Sequence, residues 1–227
     1  MSAAPAVLIQ VRSVSRRYML GGIALDALIG ASCQLRQNER IALVGPSGGG
    51  KSTLLHLMAG LDAPSAGDVT WPGLGTRDTL RPTRIGFVFQ FPSLVPWLNV
   101  SENVALPLQL AGIGALAASR ASAALRRFDL DGLALKLPEE LSGGQAQRVS
   151  LVRAIVASPA LVLADEPTGQ VDHATGAHLI DMLFEWADEA QAAIVLATHD
   201  PVVAERFPIR WEMTQGRLRV PSGELVR

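Results

Sequence analysis

The stretch "GPSGGGKST", Gly45 to Thr53, joins glycines, one lysine and three hydroxyls around the pattern G-x-x-x-x-G-K-[ST]. Gly45, Gly50, Lys51 and Ser52 take the defining positions, with Pro46, Ser47, Gly48 and Gly49 between them and Thr53 following. Glycines let successive backbone N–H groups converge on phosphate oxygens. Lys51 brings a point charge for β- and γ-phosphates, and the Ser52 hydroxyl suits Mg²⁺. The apolar run "IALV" before this loop and the helical pattern "STLLHLMAG" after it are the strand and helix the motif requires. These residues predict nucleotide binding.

A second segment, "LVLADEPTG", carries the acids such a site needs. A buried strand from Leu161 to Ala164 delivers Asp165 and Glu166 at its C-terminal end, where ligands sit in open parallel sheets. Asp165 is placed to accept the Mg²⁺ shell, and Glu166 to polarise a water beside the γ-phosphate. A third segment, "LSGGQAQRVS", puts Ser142, Gly143 and Gly144 where a helix should begin, near Gln145. Bare N–H groups at the positive end of a helix dipole make an anion site. One small chain thus carries two phosphate sites.

The elements around these residues can be read from apolar patterning. "RIALVG", "RIGFVF", "ALVLAD" and "AAIVLA" are apolar on both faces, as strands of a parallel sheet covered by helices are. "AVLIQVRSV" and "IALDALIGASCQL" alternate and predict a separate antiparallel sheet. Ile180, Leu183, Phe184 and Ala187 recur at i, i+3, i+4 and i+7, one buried helix face. After Phe91 the strand pattern stops, and an Ala- and Leu-rich helical region runs from about Ser101 to Phe128, with Ser101–Glu102 as a start signal. The prediction is a single α/β domain over 1–227. Its core spans 1–90 and 159–227, with an N-terminal antiparallel part and a helical insertion over 91–158.

Composition narrows the function classes. The formal net charge is −1 and no Lys/Arg run exceeds a pair, so no nucleic-acid partner is expected. With one cysteine, Cys33, neither an internal disulfide nor a cysteine zinc cluster can form. The N-terminus does not read as a signal peptide. "ALPLQLAGIGALAA", interrupted by Pro107, Gln109 and glycines, falls short of the ~18 apolar residues of a membrane span. A membrane role must come through a partner.

Gly45–Thr53, "LSGGQ", "LVLADE" and "ATHD", in that family's relative order and over nearly the whole chain, resemble the nucleotide-binding subunits of ABC (ATP-binding cassette) transporters. The resemblance implies a P-loop NTPase fold, ATP and Mg²⁺ as cofactors, and ATP hydrolysis. Tyr18 matches the aromatic that stacks on adenine. Gln90 matches the glutamine that touches Mg²⁺ and the attacking water, and His199 the histidine that contacts the γ-phosphate. Asp172 matches the aspartate of the loop joining the two sites of a dimer, although Gln170-Val171 stand where relatives often have Asn-Leu. In such a head-to-tail dimer, expected here to be a homodimer, ATP lies between one chain's Lys51 loop and the other's Ser142, Gly143, Gly144 and Gln145. Glu166 would then be the general base. An integral membrane permease would dock beside Gln90, on the cytoplasmic side of the inner membrane. Phe91, Leu94 and Trp97 are either contacts for it or core residues of the insertion.

"ADEPTG" with "FQFPSLVPWLNVSENVALPL" resembles the lipoprotein-releasing, macrolide-exporting and antimicrobial-peptide branch. An importer ATPase is the alternative within transporters. A genome-maintenance ATPase would separate the two motifs by coiled coil or zinc modules, and a ribosome-associated one would carry two cassettes; neither pattern is present. The segment between "GDVTW" and "RIGFVFQ" is shorter than is usual among relatives, and no room remains after "GRLRV" for a regulatory C-terminal domain.

Overall fold

A computed structural model describes residues 5–169 and 171–221. The chain divides into two compact units, one from the N-terminus to Leu80 together with the segment from Ala193 onward, the other from Arg81 to Ala192.

In the first unit, β1 (Val7–Leu20) and β2 (Ile23–Arg36) form a long antiparallel hairpin. Its two-residue turn is Gly21-Gly22, with φ of 56° and 86°. Such a turn needs left-handed backbone at both positions to match the twist of the strands. β4 (Ala66–Thr70) pairs antiparallel with the other edge of β1, giving the order β2-β1-β4. Ile9, Val11, Val14, Ala31, Cys33 and Leu35 are buried, the alternation seen in the sequence.

β3 (Arg40–Val44) lies between β7 (Ala193–Thr198) and β8 (Ile209–Thr214), parallel to both, and β9 (Arg217–Arg219) closes the edge antiparallel to β8. Every residue of β7 is buried, as a strand covered on both faces must be. α1 (Lys51–Met58) leaves the loop after β3 and buries Leu54, Leu55, Leu57 and Met58. The short segment after β4 folds into a 3-10 turn, Arg77–Thr79. The Arg77 guanidinium bonds to the Gly60 carbonyl, and Trp71 Nε1 to the Met58 carbonyl, tying this segment to the end of α1.

In the second unit, β5 (Ile85–Val88) and β6 (Leu161–Asp165) pair in parallel, Val88 opposite Ala164. The helices are α2 (Val100–Leu110), α3 (Gly114–Arg127), α4 (Gly143–Ile155) and α5 (His173–Ala190). α2 begins earlier than the Ser101–Glu102 signal suggested. Asn99 is its N-cap, because Asn99 Oδ1 accepts from the Glu102 N–H while Glu102 Oε2 accepts from the Asn99 N–H. α4 lies close on β5: a Cβ at Gly86 would overlap the Ala154 carbonyl. Ile180, Leu183 and Ala187 of α5 are buried as the helical spacing required. Among the described residues no helix is long and apolar enough to cross a membrane.

Candidate active site

The first unit holds the Lys-bearing loop. Gly45 follows β3 with φ 151°, and a Cβ there would run into the Met213 carbonyl of β8. Gly50, with φ 106°, is the N-cap of α1, and its Cβ would lie 2.5 Å from the Ala27 carbonyl. Only glycine lets the loop pass so close to neighbouring strands and then turn into the helix. The Gly49 N–H bonds to the Pro46 carbonyl, and the Gly49 carbonyl accepts from Gly216. The Leu54 N–H bonds to the Gly50 carbonyl, so the first turn of α1 opens directly on the loop. Lys51 is 5% exposed, and its Nζ donates to the carbonyls of Gly45 (2.9 Å) and Pro46 (3.1 Å). The ammonium thus sits inside the loop, where an anion would find it.

His199 follows β7 at the same end of the parallel strands. Thr198 is buried and its hydroxyl accepts from the Asp200 N–H; Asp200 in turn caps α6 (Pro201–Ala204) through Val202. This pinned turn presents His199 at the surface. It lines a cleft of about 380 Å³ with Gly45 and Pro46 of the loop. Tyr18, half-buried on β1, donates its hydroxyl to Asp62 at 2.8 Å.

The second unit carries the acids. Asp165 ends β6 and is 4% exposed. Glu166 leaves the strand with φ 48°, a left-handed conformation rare for a residue with a side chain and concentrated at functional sites. The Gly169 N–H closes the turn on the Glu166 carbonyl. Gln90 lies exposed just past β5, at the same end of the paired strands as Asp165. The chain before it is anchored by Gln147 of α4, whose Nε2 donates to the Phe89 carbonyl at 3.0 Å. Gln147 is fully buried, a feature no pattern revealed, since a polar residue on an amphipathic helix reads as surface.

Ser142 is the N-cap of α4, which starts at Gly143 rather than near Gln145. Ser142 Oγ accepts from the Gln145 N–H (3.2 Å) and Gln145 Oε1 accepts from the Ser142 N–H (3.0 Å). This capping box occupies two donors. Gly143 and Gly144 are the first helical residues, whose N–H groups have no intrahelical acceptor.

Asp172 caps α5, accepting from the Thr175 N–H and hydroxyl, and these bonds hold its carboxyl below the usual carboxylate range. Gln170 lies outside the described residues. In the segment after Gln90, Phe91 and Trp97 are 68% and 78% exposed, which removes them from the core, whereas Leu94 is half-buried. Buried Asn103 pins this segment, bonding both backbone groups of Val95 and the Leu98 carbonyl, while Arg153 bonds the Ser93 carbonyl and hydroxyl. Burial pushes the Arg153 pKa down.

A glycine loop closed around a buried lysine, and an acid-tipped parallel strand, define a P-loop nucleotide hydrolase. The chain belongs more narrowly to the ABC transporter family, whose profile matches residues 28–169. It is 40% identical to the lipoprotein-releasing system ATP-binding protein LolD of Hydrogenovibrio crunogenus, covering 96% of this chain and 99% of that protein. The LolD of Shewanella oneidensis is also 40% identical, over 95% and 97% of the two chains. Among solved structures, the dimeric post-hydrolysis state of the ATP-binding cassette MJ0796 bound to ADP and Pi is similar with a TM-score of 0.86. It shares 33% identity and covers 97% of this chain and 99% of that one. CbiO1 of Clostridium perfringens, part of the transporter complex cbiONQ, is similar at TM-score 0.78 and 27% identity, over 94% and 87%. The chain is an ATP-binding, ATP-hydrolysing subunit of an ABC transporter.

Proposed function

We propose that this chain is the energy-supplying subunit of a lipoprotein-releasing system. It would work as a homodimer on the cytoplasmic face of the inner membrane beneath an integral membrane permease. The observation that carries this reading is identity of 40% with lipoprotein-releasing ATP-binding proteins along nearly the full length of both chains. Phe91 and Trp97, exposed beside Gln90 on a segment pinned by Asn103 and Arg153, are the contacts offered to the permease. Within the cassette, 91–158 is the helical part that carries the signature, and 1–90 with 159–227 is the α/β core.

The roles assigned to the site follow from its chemistry. N–H groups along Ser47, Gly48 and Gly50, then Lys51, Ser52 and Thr53, cradle the phosphates, while Pro46, which has no N–H, and Gly49, whose N–H bonds the Pro46 carbonyl, shape the loop. Mg²⁺ takes hard oxygen donors, and the Ser52 hydroxyl and the buried Asp165 carboxylate are of that kind, with Gln90 as a further contact. Tyr18 stacks on adenine. Glu166 takes the proton of the water whose oxygen bonds to the γ-phosphorus as the bond to the β,γ-bridging oxygen breaks and ADP leaves, and His199 holds the γ-phosphate in line. The Gly143 and Gly144 N–H groups, with Ser142 and Gln145, receive the γ-phosphate of ATP bound by the partner chain, and Asp172 links the two sites.

Solubilising membranes that contain a tagged copy of the chain and identifying what co-purifies tests the assignment. A permease with a large extracytoplasmic domain is expected. Recovery instead with a permease fed by a periplasmic binding protein would make it an importer subunit. Ser142→Ala tests the shared site: it should lower ATP-dependent dimerisation and turnover at least about tenfold while ATP binding to the monomer stays intact. Dimerisation equal to the parent's would remove the signature from the interface.

A further inference from the structure

Tyr18 is held by two residues that belong to no motif. Arg16, two positions earlier on β1 and therefore on the same strand face, lays its guanidinium 4.5 Å from the centre of the Tyr18 ring. Asp62, in the loop after α1, accepts the Tyr18 hydroxyl and Arg16 Nε on one oxygen, each at 2.8 Å. Its other oxygen accepts Arg16 Nη2 at 2.8 Å and the Ala63 N–H at 2.7 Å. The Arg16 and Asp62 side chains are 24% and 22% exposed, so water competes with these bonds only in part.

The three side chains form a closed triangle. Strand pairing opposite Leu25 fixes only the backbone of Tyr18, since the hairpin end there is exposed at Met19, Ile23 and Leu25. The triangle fixes the ring: its hydroxyl end is tethered and one face is covered by a cation. A flat ligand can then stack only on the opposite face, on a ring that has already lost its rotational freedom. Resting on the reading that Tyr18 meets adenine, we propose that Arg16 and Asp62 are positioning residues for the nucleobase, presenting one face of Tyr18 to a purine.

Competitive binding of ATP and of inorganic tripolyphosphate to the purified chain separates base recognition from phosphate recognition. Tyr18→Ala should lower the ATP-to-tripolyphosphate affinity ratio about tenfold. Arg16→Ala and Asp62→Asn should each lower it about three- to fivefold with tripolyphosphate affinity unchanged. Combining Arg16→Ala with Tyr18→Ala should add nothing to the loss from Tyr18→Ala. Arg17→Ala, which breaks only the exposed pair with Asp26 on the same strand, should leave the ratio at the parent value. If Arg16→Ala perturbs folding, tripolyphosphate binding will report it, and Arg16→Lys, which keeps a cation over the ring, should retain most of the ratio. A normal ratio in Arg16→Ala and Asp62→Asn beside a lowered one in Tyr18→Ala overturns the positioning role. A normal ratio in Tyr18→Ala overturns the adenine reading itself, and the positioning role with it.

Discussion

Glu166→Gln is expected to lower ATP turnover at least about 10²-fold while ATP affinity stays within about twofold of the parent. The amide has the shape of the carboxylate, so the turn that begins at Glu166 and closes through Gly169 keeps its geometry. What it loses is the capacity to take a proton. Phosphoryl transfer to water needs that proton removed as the oxygen bonds to phosphorus, and a general base at this point contributes on the order of 10²–10⁴-fold. The left-handed backbone at Glu166 supports the assignment physically, since a side-chain-bearing residue is held there only where surrounding structure enforces it. Because hydrolysis ends the closed state, the variant should also accumulate as an ATP-bound dimer. Single-turnover phosphate release with size-exclusion chromatography in ATP reads both effects. Turnover within about threefold of the parent would take Glu166 out of the base's role.

The parts of this fold that could be read from the sequence are those in which one residue type has one physical use. Strands such as Leu161–Asp165 and Ala193–Thr198 are buried on both faces and so appear as apolar runs closed by a single polar residue. The phosphate loop was legible because its glycines answer to close backbone approach, seen at Gly45 against Met213 and at Gly50 against Ala27. Helix starts were less legible. Asn99 and Ser142 act as caps through partners three residues on, Glu102 and Gln145, and a short-range scan that stops at the first hydroxyl or first glutamine misplaces the boundary. Least legible were polar residues whose partners are distant in sequence. Asp62 lies 46 positions from Arg16, and Gln147 lies 58 from the carbonyl it binds. Each looks like an ordinary surface residue until the fold brings its partner to it. The aromatics after Gln90 show the same limit, since apolar character alone left core and surface open until exposure of Phe91 and Trp97 decided it.

Lys51→Ala should weaken ATP binding by about one to two orders of magnitude. The ammonium lies inside the loop, donating to the Gly45 and Pro46 carbonyls. At 5% exposure the side chain is held by the loop, so a phosphate meets a lysine that is already positioned. The charge-assisted bond to phosphate, about 1.5–3 kcal/mol, is gained at little further cost in ordering. Removing the side chain also deprives two loop carbonyls of their donor and empties the buried space its stem filled. The variant should thus be less stable even without ligand, by about 1–3 kcal/mol. Two consequences of one substitution must be told apart, and Lys51→Met does so by keeping the apolar stem while discarding the charge. If the charge carries binding, Lys51→Met should recover much of the unliganded melting temperature yet show little of the ATP-induced rise that a bound ligand gives. If both variants rise with ATP as the parent does, the loop around Lys51 is not what holds the triphosphate.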